Sequence, residues 1–280
     1  MKVLSHADPD TESILGKVKN EVTVDHLDPP YWVFVQNSDP IGIMVVAEEP
    51  GPLLASPGTA YAHVVWMDTR QPDENIRSFI AQALKIGSQE SIKYATAMFP
   101  FSEEKVITQF QNAGFSELND SYTMTKPLDV ALRLPEIIQF KQVKRAEMGQ
   151  FAEYVKRFFT DSPDKYVAEA LEHVLELPAQ FLDQIYDREK FYFAVREGEI
   201  VGVLNFNATS GWVSNMGVDS LKRGQGFGRA ILLFALQQLR RSGCKQATLR
   251  VHIQNKPAVH LYKSVGFLEK ERHVALIWRR

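Results

Sequence analysis

The residues with the clearest chemical meaning are the glycines at alternate positions, Gly224, Gly226 and Gly228. Glycine adopts positive φ without strain and carries no side chain, so the backbone N–H groups of such a turn can converge on one anion. A helical pattern from Gly228 to Ser242 follows at once. Its unpaired N–H groups and partial positive charge act at the same place, so the segment predicts a pyrophosphate site.

Other phosphate-binding loops fit this segment less well. A Walker loop needs G-K-[ST], and that tripeptide does not occur in the sequence. The dinucleotide pattern G-x-G-x-x-G fails in both registers, because Arg229 or Ile231 stands where the third glycine is needed. A glycine-rich turn with no ligand is the alternative interpretation.

A second cluster, from Asn255 to Phe267, predicts a short helix with polar groups near its start. Asn255 can cap the helix that Pro257 opens, and a cofactor contact by the same residue is compatible with that role. Ala258 and Tyr262 fall on one helix face, so the small side chain leaves room beside the phenol. From the residues alone, Tyr262 can be interpreted as a half-buried aromatic residue.

Taken together, the two clusters resemble the GNAT superfamily of acyl-CoA N-acyltransferases. Arg223, Gly226 and Gly228 match the signature [RQ]-x-x-G-x-[GA], and the second cluster resembles N-x-x-A-x-x-x-Y-x-x-x-G-F. The resemblance covers roughly the last third of the chain. It implies acetyl-CoA as co-substrate, with its pantetheine arm paired to the backbone of Met216 and Val218.

The resemblance also implies a set of site residues and no metal. The cofactor contacts expected from it are Met216, Gly217, Val218, Arg223, Gly224, Gln225, Gly226, Phe227, Gly228, Arg229, Asn255, Ala258 and Tyr262. Tyr262 is the expected catalytic residue, as the general acid that protonates the departing thiolate. A phenol with a pKa of about 10 can perform this step.

The general base is not identified by the sequence. An alkylamine with a pKa of about 10.4 is mostly protonated at neutral pH, and freeing its lone pair costs roughly 4–5 kcal/mol. The strand before the loop carries Ser214 and Asn215 but no carboxylate. His252 on the next strand is one candidate, and a base reached through water is another.

The implied activity is transfer of an acetyl group to a primary amine of a small molecule or peptide. A non-catalytic acyl-CoA sensor or scaffold is the alternative, and O-acylation uses the same loop. Acceptor-pocket candidates, each also interpretable as a core residue, are Phe158, Phe159, Tyr166 and Trp212.

Alternating strand and helix patterns must position these residues. Predicted strands are 31–36, 41–47, 60–67, 94–99, 117–125, 138–143, 191–195, 200–207, 212–218, 246–253 and 273–278. Predicted helices are 75–86 (closed by Gly87), 103–112, 148–159, 163–177, 228–242 and 257–265. The pattern predicts an α/β (α+β) fold. Together with the GNAT resemblance it implies two tandem GNAT-like lobes, each a mixed, mostly antiparallel twisted sheet flanked by helices.

The two halves of the sequence match at a shift of 152 residues, which predicts a duplication. Gly114-Phe115 corresponds to Gly266-Phe267, and Phe110 corresponds to Tyr262. The glycine-rich loop corresponds to 72–76, which contains no glycine and two carboxylates. We therefore expect residues 1–130 to form a degenerate lobe without a cofactor site, which covers a sheet edge and part of the acceptor site. Residues 131–280 are then the catalytic domain.

Composition narrows the class of protein. The chain has 280 residues, 45% of them hydrophobic, and a formal charge of −2, which argues against nucleic acid as a partner. Its only cysteine is Cys244, and its histidines lack paired metal-ligand spacing. The first 30 residues do not resemble a signal peptide and the apolar runs are too short to cross a bilayer, so we expect a cytoplasmic protein.

Overall fold

The computed structural model describes residues 1–21, 30–49, 54–56, 58–130 and 133–280. Its contacts divide these residues into two compact units. The first unit contains the residues up to Asn119, apart from 54–56, together with His273–Arg280; the second contains Asp120–Arg272 and 54–56. The contacts pass from one unit to the other after Asn119 and after Arg272. The expected domain boundary between residues 130 and 131 stays a prediction.

The elements alternate along the chain. The strands are β1 (Lys2–Ser5), β2 (Tyr31–Gln36), β3 (Asp39–Glu48), β4 (Ala60–Met67), β5 (Tyr94–Pro100), β6 (Ser116–Pro127), β7 (Gln139–Gln142), β8 (Lys190–Arg196), β9 (Glu199–Asn207), β10 (Trp212–Val218), β11 (Gln246–His252) and β12 (Leu268–Arg279). The helices are α1 (Thr11–Leu15), α2 (Asp73–Gln89), α3 (Glu104–Asn112), α4 (Met148–Phe159), α5 (Lys165–His173), α6 (Ala179–Arg188), α7 (Phe227–Arg241) and α8 (Lys256–Val265).

Each unit has a mixed sheet, as the sequence predicts. In the first unit the strands lie in the order β1-β2-β3-β4-β5-β12, and only the β4–β5 pair is parallel. In the second unit the order is β6-β11-β10-β9-β8-β7, and only the β10–β11 pair is parallel. The helices lie on these sheets because their apolar stripes must be buried.

The closing strand of each sheet comes from the other half of the sequence. Strand β6 pairs with β11 from Ser121↔His252 to Pro127↔Gln246. Strand β12 pairs with β5 from His273↔Pro100 to Arg279↔Tyr94. This exchange of closing strands explains why the contacts change units inside β6 and inside β12.

Two expectations about helices are wrong. Gly87 does not end α2, which continues to Gln89; a Cβ at Gly87 would lie 2.3 Å from Ile92 Cδ1, so this glycine allows close packing inside the helix. The helix expected over 163–177 is shorter, because Asp164 caps α5 and a separate 3₁₀ turn, Val174–Glu176, follows it. Helix α6 is additional to the predicted elements, as are β1 and α1 near the start of the chain.

The duplicated positions have the same local geometry. Gly114 and Gly266 adopt φ values of +94° and +96°, which favour glycine over other residues. The N–H of Phe115 donates to the carbonyl of Phe110 at 3.1 Å, and the N–H of Phe267 donates to the carbonyl of Tyr262 at 3.0 Å. The two helix–strand junctions therefore repeat one structure, in agreement with the tandem fold.

Candidate active site

The second unit has a cavity of about 610 Å³ at the glycine-rich loop. All the predicted cofactor contacts line it except Gln225 and Tyr262. The other lining residues are Phe158, Phe159, Asp161, Ser162, Pro163, Lys222, Gln254, Pro257 and Leu261. The two sequence clusters thus meet at one cavity, although Asn255 lies 26 positions after Arg229 along the chain.

Strands β10 and β11 separate beside this cavity. Their parallel register contains only Trp212↔Thr248, whereas β10 stays paired with β9 from Trp212 to Val218. In the first unit, by contrast, β4 and β5 are paired at four positions. The edge of β10 that faces β11 is therefore open at the cavity, and an extended ligand can hydrogen-bond to it as another strand would.

The glycines shape the start of α7. Gly224 and Gly226 have φ values of +78° and +84°, and Gly226 is the N-cap residue of the helix without a side chain to cap it. Helix α8 differs, because Asn255 Oδ1 accepts the N–H of Ala258 at 3.3 Å. The first N–H groups of α7 are thus left for a ligand in the cavity.

Two ion pairs connect the end of α4 to the loop. Arg223 binds Asp161 with both terminal nitrogens, and Nη2 lies 2.9 Å from Asp161 Oδ1. The pairing raises the pKa of Arg223 and lowers the pKa of Asp161, mainly through these hydrogen bonds. Arg157 Nη2 lies 2.6 Å from Oδ2 of the buried Asp219, whose other oxygen accepts the N–H of Leu221.

Tyr262 lies within the hydrophobic cluster next to this cavity rather than among its lining residues. Its side chain is buried, and its ring centroid is 5.9 Å from that of Phe267. Burial raises the pKa of Tyr262 to about 12. The phenol is therefore protonated at every physiological pH, which a proton donor requires.

The candidate base His252 is engaged locally. Its Nδ1 accepts the N–H of Gln254 at 3.2 Å, and the residue does not line the cavity. One imidazole lone pair is thus used to hold the turn after β11.

Sequence reasoning missed a carboxylate beside β10. Ser214 Oγ donates to Glu189 Oε1 at 2.6 Å, and Asn205 Nδ2 donates to Glu189 Oε2. No local sequence pattern predicts this contact, because Glu189 precedes β8 and comes next to β10 only in the folded sheet. Its place two residues before the predicted strand 191–195 is the one signal that the sequence contained.

The aromatic acceptor candidates separate in the structure. Phe158 and Phe159 line the cavity at the loop, and Phe159 and Tyr166 line a second cavity of about 300 Å³. Trp212 packs with Arg250, whose guanidinium carbon is 5.9 Å from the ring centroid.

The first unit has carboxylates where the second has its glycines. Residues 72–76 lead into the first turn of α2, where Asp73 pairs with Lys105 at 3.1 Å and accepts from Gln109 Nε2 at 3.0 Å. A negative side chain already occupies this helix start and would repel phosphate. The arrangement is consistent with the expected loss of cofactor binding in this lobe.

Among the residues that the structure describes, no group of three or more His, Cys, Asp or Glu side chains is arranged to hold a metal ion. No helix in the described ranges combines the length and the apolar character needed to cross a membrane.

Part of the chain is similar in sequence to known acetyltransferases. The model of the Acetyltransferase (GNAT) family matches residues 152–267. Mycothiol acetyltransferase from Thermobispora bispora is 30% identical over 169 residues, which are 55% of each chain. N-alpha-acetyltransferase MAK3 from Arabidopsis thaliana is 25% identical over 138 residues, 42% of this chain and 73% of that one. The chain spans about half the length of the mycothiol acetyltransferases it matches.

Solved structures are similar over nearly the whole chain. A GCN5-related N-acetyltransferase from Sphaerobacter thermophilus superposes with a TM-score of 0.66 at 18% identity, covering 96% of this chain and 85% of that one. A tandem GNAT protein from the clavulanic acid biosynthesis pathway gives 0.62 at 13% identity, with 99% and 98% covered. At these identities the likeness shows the tandem fold. Residues 152–267 therefore match the Acetyltransferase (GNAT) family, and the described chain has the tandem GNAT fold.

Proposed function

We propose that this protein is an N-acetyltransferase that moves the acetyl group of acetyl-CoA to a primary amine. The observation that carries the proposal is one cavity that combines the glycine-rich loop, the uncapped start of α7 and the open edge of β10. A phosphate-bearing ligand with an extended arm fits that combination. The named relatives are acetyltransferases as well.

Different residues of the cavity would bind different parts of the cofactor. The backbone N–H groups from Gly226 to Arg229 would hold the pyrophosphate, and Arg223 and Lys222 supply positive charge at the rim. The backbone of Met216 and Val218 would hydrogen-bond the pantetheine arm. Acetyl-CoA supplies the thioester, whose acyl carbon an amine can attack.

Tyr262 would assist departure of the thiolate as general acid. With a pKa raised to about 12, the phenol is a weaker acid than in water, so its main contribution is a hydrogen bond to the developing negative charge. Burial also keeps water from competing for that hydrogen bond.

A non-catalytic acyl-CoA sensor is the second candidate function. The observation in its favour is that Tyr262 is buried and does not line the cavity. Release of free CoA thiol from acetyl-CoA in the presence of amines separates the two functions, because a sensor binds the cofactor without releasing thiol.

Titration of the full chain with acetyl-CoA tests the proposed site. Gly228→Leu places a side chain in the first turn of α7, where even a Cβ would lie 3.3 Å from Leu261 Cδ2. We expect affinity to fall by at least about tenfold, since steric exclusion removes several N–H contacts at once. Gly149→Leu in α4 is the matched control, because a Cβ there has open space around it.

Thermal unfolding of both variants shows whether each one folds. If the folded Gly228→Leu variant binds acetyl-CoA as tightly as the native chain, the glycine-rich loop is not the cofactor site. If the native chain itself does not bind acetyl-CoA, the proposed function is wrong.

A further inference from the structure

The second cavity of the Asp120–Arg272 unit has the properties of a small-molecule pocket. It encloses about 300 Å³ between α4, α5, α6 and the sheet formed by β8, β9 and β10. Aliphatic and aromatic side chains form most of its wall, among them Phe159, Tyr166 and Ala170, and the amides of Asn205 and Asn215 also line it. An apolar wall with a few convergent polar groups is typical of ligand pockets.

The polar groups lie side by side on the sheet. Asn205 on β9 and Asn215 on β10 are direct cross-strand partners. Asn205 is only 3% exposed, and its Nδ2 donates to Glu189. Its Oδ1 is buried without a hydrogen-bond partner among the residues that the structure describes. A buried acceptor without a donor is costly, so this oxygen indicates a ligand that brings an N–H group.

The carboxylate of Glu189 fixes the direction of that amide. If the Asn205 amide were reversed, its oxygen would face a carboxylate oxygen and the hydrogen bond would be lost. The acceptor Oδ1 must therefore point away from Glu189. In this arrangement Glu189 acts as a positioning residue for Asn205.

The pocket adjoins the cavity at the glycine-rich loop. Phe159 lines both cavities. Along β10, Asn215 lines the apolar pocket and the next residues, Met216 to Val218, line the larger cavity. A group held at the asparagines is therefore next to the strand edge along which the proposed cofactor arm would run.

We propose that this pocket binds the acetyl acceptor, and that the acceptor is a small primary amine with an apolar body. The amine donates an N–H to Asn205 Oδ1 while its hydrocarbon part contacts the apolar wall. This inference rests on the proposed function and specifies its substrate class. It differs from what the printed names of the relatives suggest, since they refer to mycothiol and to protein N-termini.

The chemistry of the wall suits the transfer. Among the described residues that line the pocket there is no carboxylate, and burial in apolar surroundings disfavours the charged ammonium form. The neutral amine has the lone pair that attacks the thioester carbon. A C–N bond forms and the C–S bond breaks. The proton released by nitrogen balances the proton taken up by the thiolate, so the products are an amide and free CoA thiol.

Filling the pocket from α5 tests this assignment. Ala170 lines the pocket, whereas Ala168 on the same helix is exposed and does not line it. We expect the native chain to acetylate 2-phenylethylamine with kcat/KM at least about tenfold above that for glucosamine. Ala170→Trp should lower kcat/KM for 2-phenylethylamine by about tenfold or more, while Ala168→Trp leaves it unchanged.

Binding measurements keep the two proposals separate. All three proteins should bind acetyl-CoA with equal affinity, and calorimetric titration of the CoA-bound chain should show 2-phenylethylamine binding that Ala170→Trp abolishes. Asn205→Leu should raise KM for this amine more than it lowers kcat, because it removes a binding contact.

If acetyl-CoA binds and amines are acetylated but Ala170→Trp has no effect, or glucosamine is preferred, the pocket assignment is wrong and the acetyltransferase proposal survives. If acetyl-CoA binds and no amine releases thiol or binds at the pocket, both the assignment and the catalytic proposal are wrong.

Discussion

Gly217 lies so close to Phe159 that a Cβ atom at position 217 would come within 2.4 Å of Phe159 Cε2. Only glycine lets this ring lie directly on β10, where it borders both cavities of the unit. The first unit has a comparable contact, since a Cβ at Gly42 on β3 would lie 2.3 Å from Phe79 Cε2. In each unit, a glycine on the sheet allows an aromatic ring of a helix to approach the backbone.

This contact predicts that Gly217→Ala destabilises the protein by about 1–3 kcal/mol, because the added methyl group overpacks a buried contact. Urea unfolding measures the change. A matched comparison is Gly149→Ala, which adds the same methyl group in open space and should change stability far less.

A double-mutant comparison of positions 159 and 217 tests whether the contact between them explains the requirement for glycine. In a Phe159→Leu background the smaller side chain has room to move, so Gly217→Ala should cost measurably less than it does alone. If the two substitutions are additive, the close contact does not determine the requirement for glycine.

Substitution Tyr262→Phe tests the proposed acid. The variant keeps the ring in the hydrophobic cluster and reproduces the residue found at the duplicated position, Phe110. We expect kcat to fall by about 10²–10⁴-fold with acetyl-CoA affinity unchanged, since the variant lacks only the hydroxyl group that donates a hydrogen bond or proton to the leaving thiolate. Thiol release at saturating cofactor measures this effect, and a kcat within about twofold of the native value would exclude the role of general acid.

The same residue gives a prediction about stability at high pH. Folding raises the pKa of Tyr262 from 10.0 to about 12, so folding favours the protonated phenol. The resulting stabilisation is complete below pH 10 and is lost as the pH rises towards 12. Between pH 9 and pH 11 this residue should lower the free energy of unfolding by about 1 kcal/mol. Tyr262→Phe should remove that part of the pH dependence, and an unchanged slope would contradict the buried, raised pKa.

The cavity at the glycine-rich loop was largely predictable because its determinants are local. Gly226 can be recognised from the loop pattern and Asn255 from the position of Pro257, and each acts within a few residues of itself. The start of α4 and the ends of β10 were also predicted, α4 from apolar residues at helical spacing and β10 from its place just before the glycine-rich loop. Local signals therefore located this cavity.

Features that depend on distant contacts could not be predicted in this way. Gly87 has the same chemistry as a helix-ending glycine, and only its contact with Ile92 shows that it lies inside α2. Glu189 reaches Ser214 across 25 positions of sequence. The pairing of β12 with β5 likewise joins the two ends of a long chain segment, for which no local pattern exists.

Asp161 gives a prediction about how charge at the rim controls cofactor affinity. Its carboxylate lines the cavity and engages Arg223, so it both repels phosphate and occupies the guanidinium. Asp161→Asn should therefore tighten acetyl-CoA binding by about two- to fivefold at low salt, within the range of exposed ion pairs. The advantage should shrink at about 1 M salt, where charges are screened beyond roughly 3 Å. The control is Asp183→Asn, which removes an exposed carboxylate that pairs elsewhere, with Arg145. Asp164→Asn is unsuitable as a control because Asp164 caps α5. Weaker binding by Asp161→Asn would instead show that the Arg223–Asp161 pair holds the loop in its binding conformation.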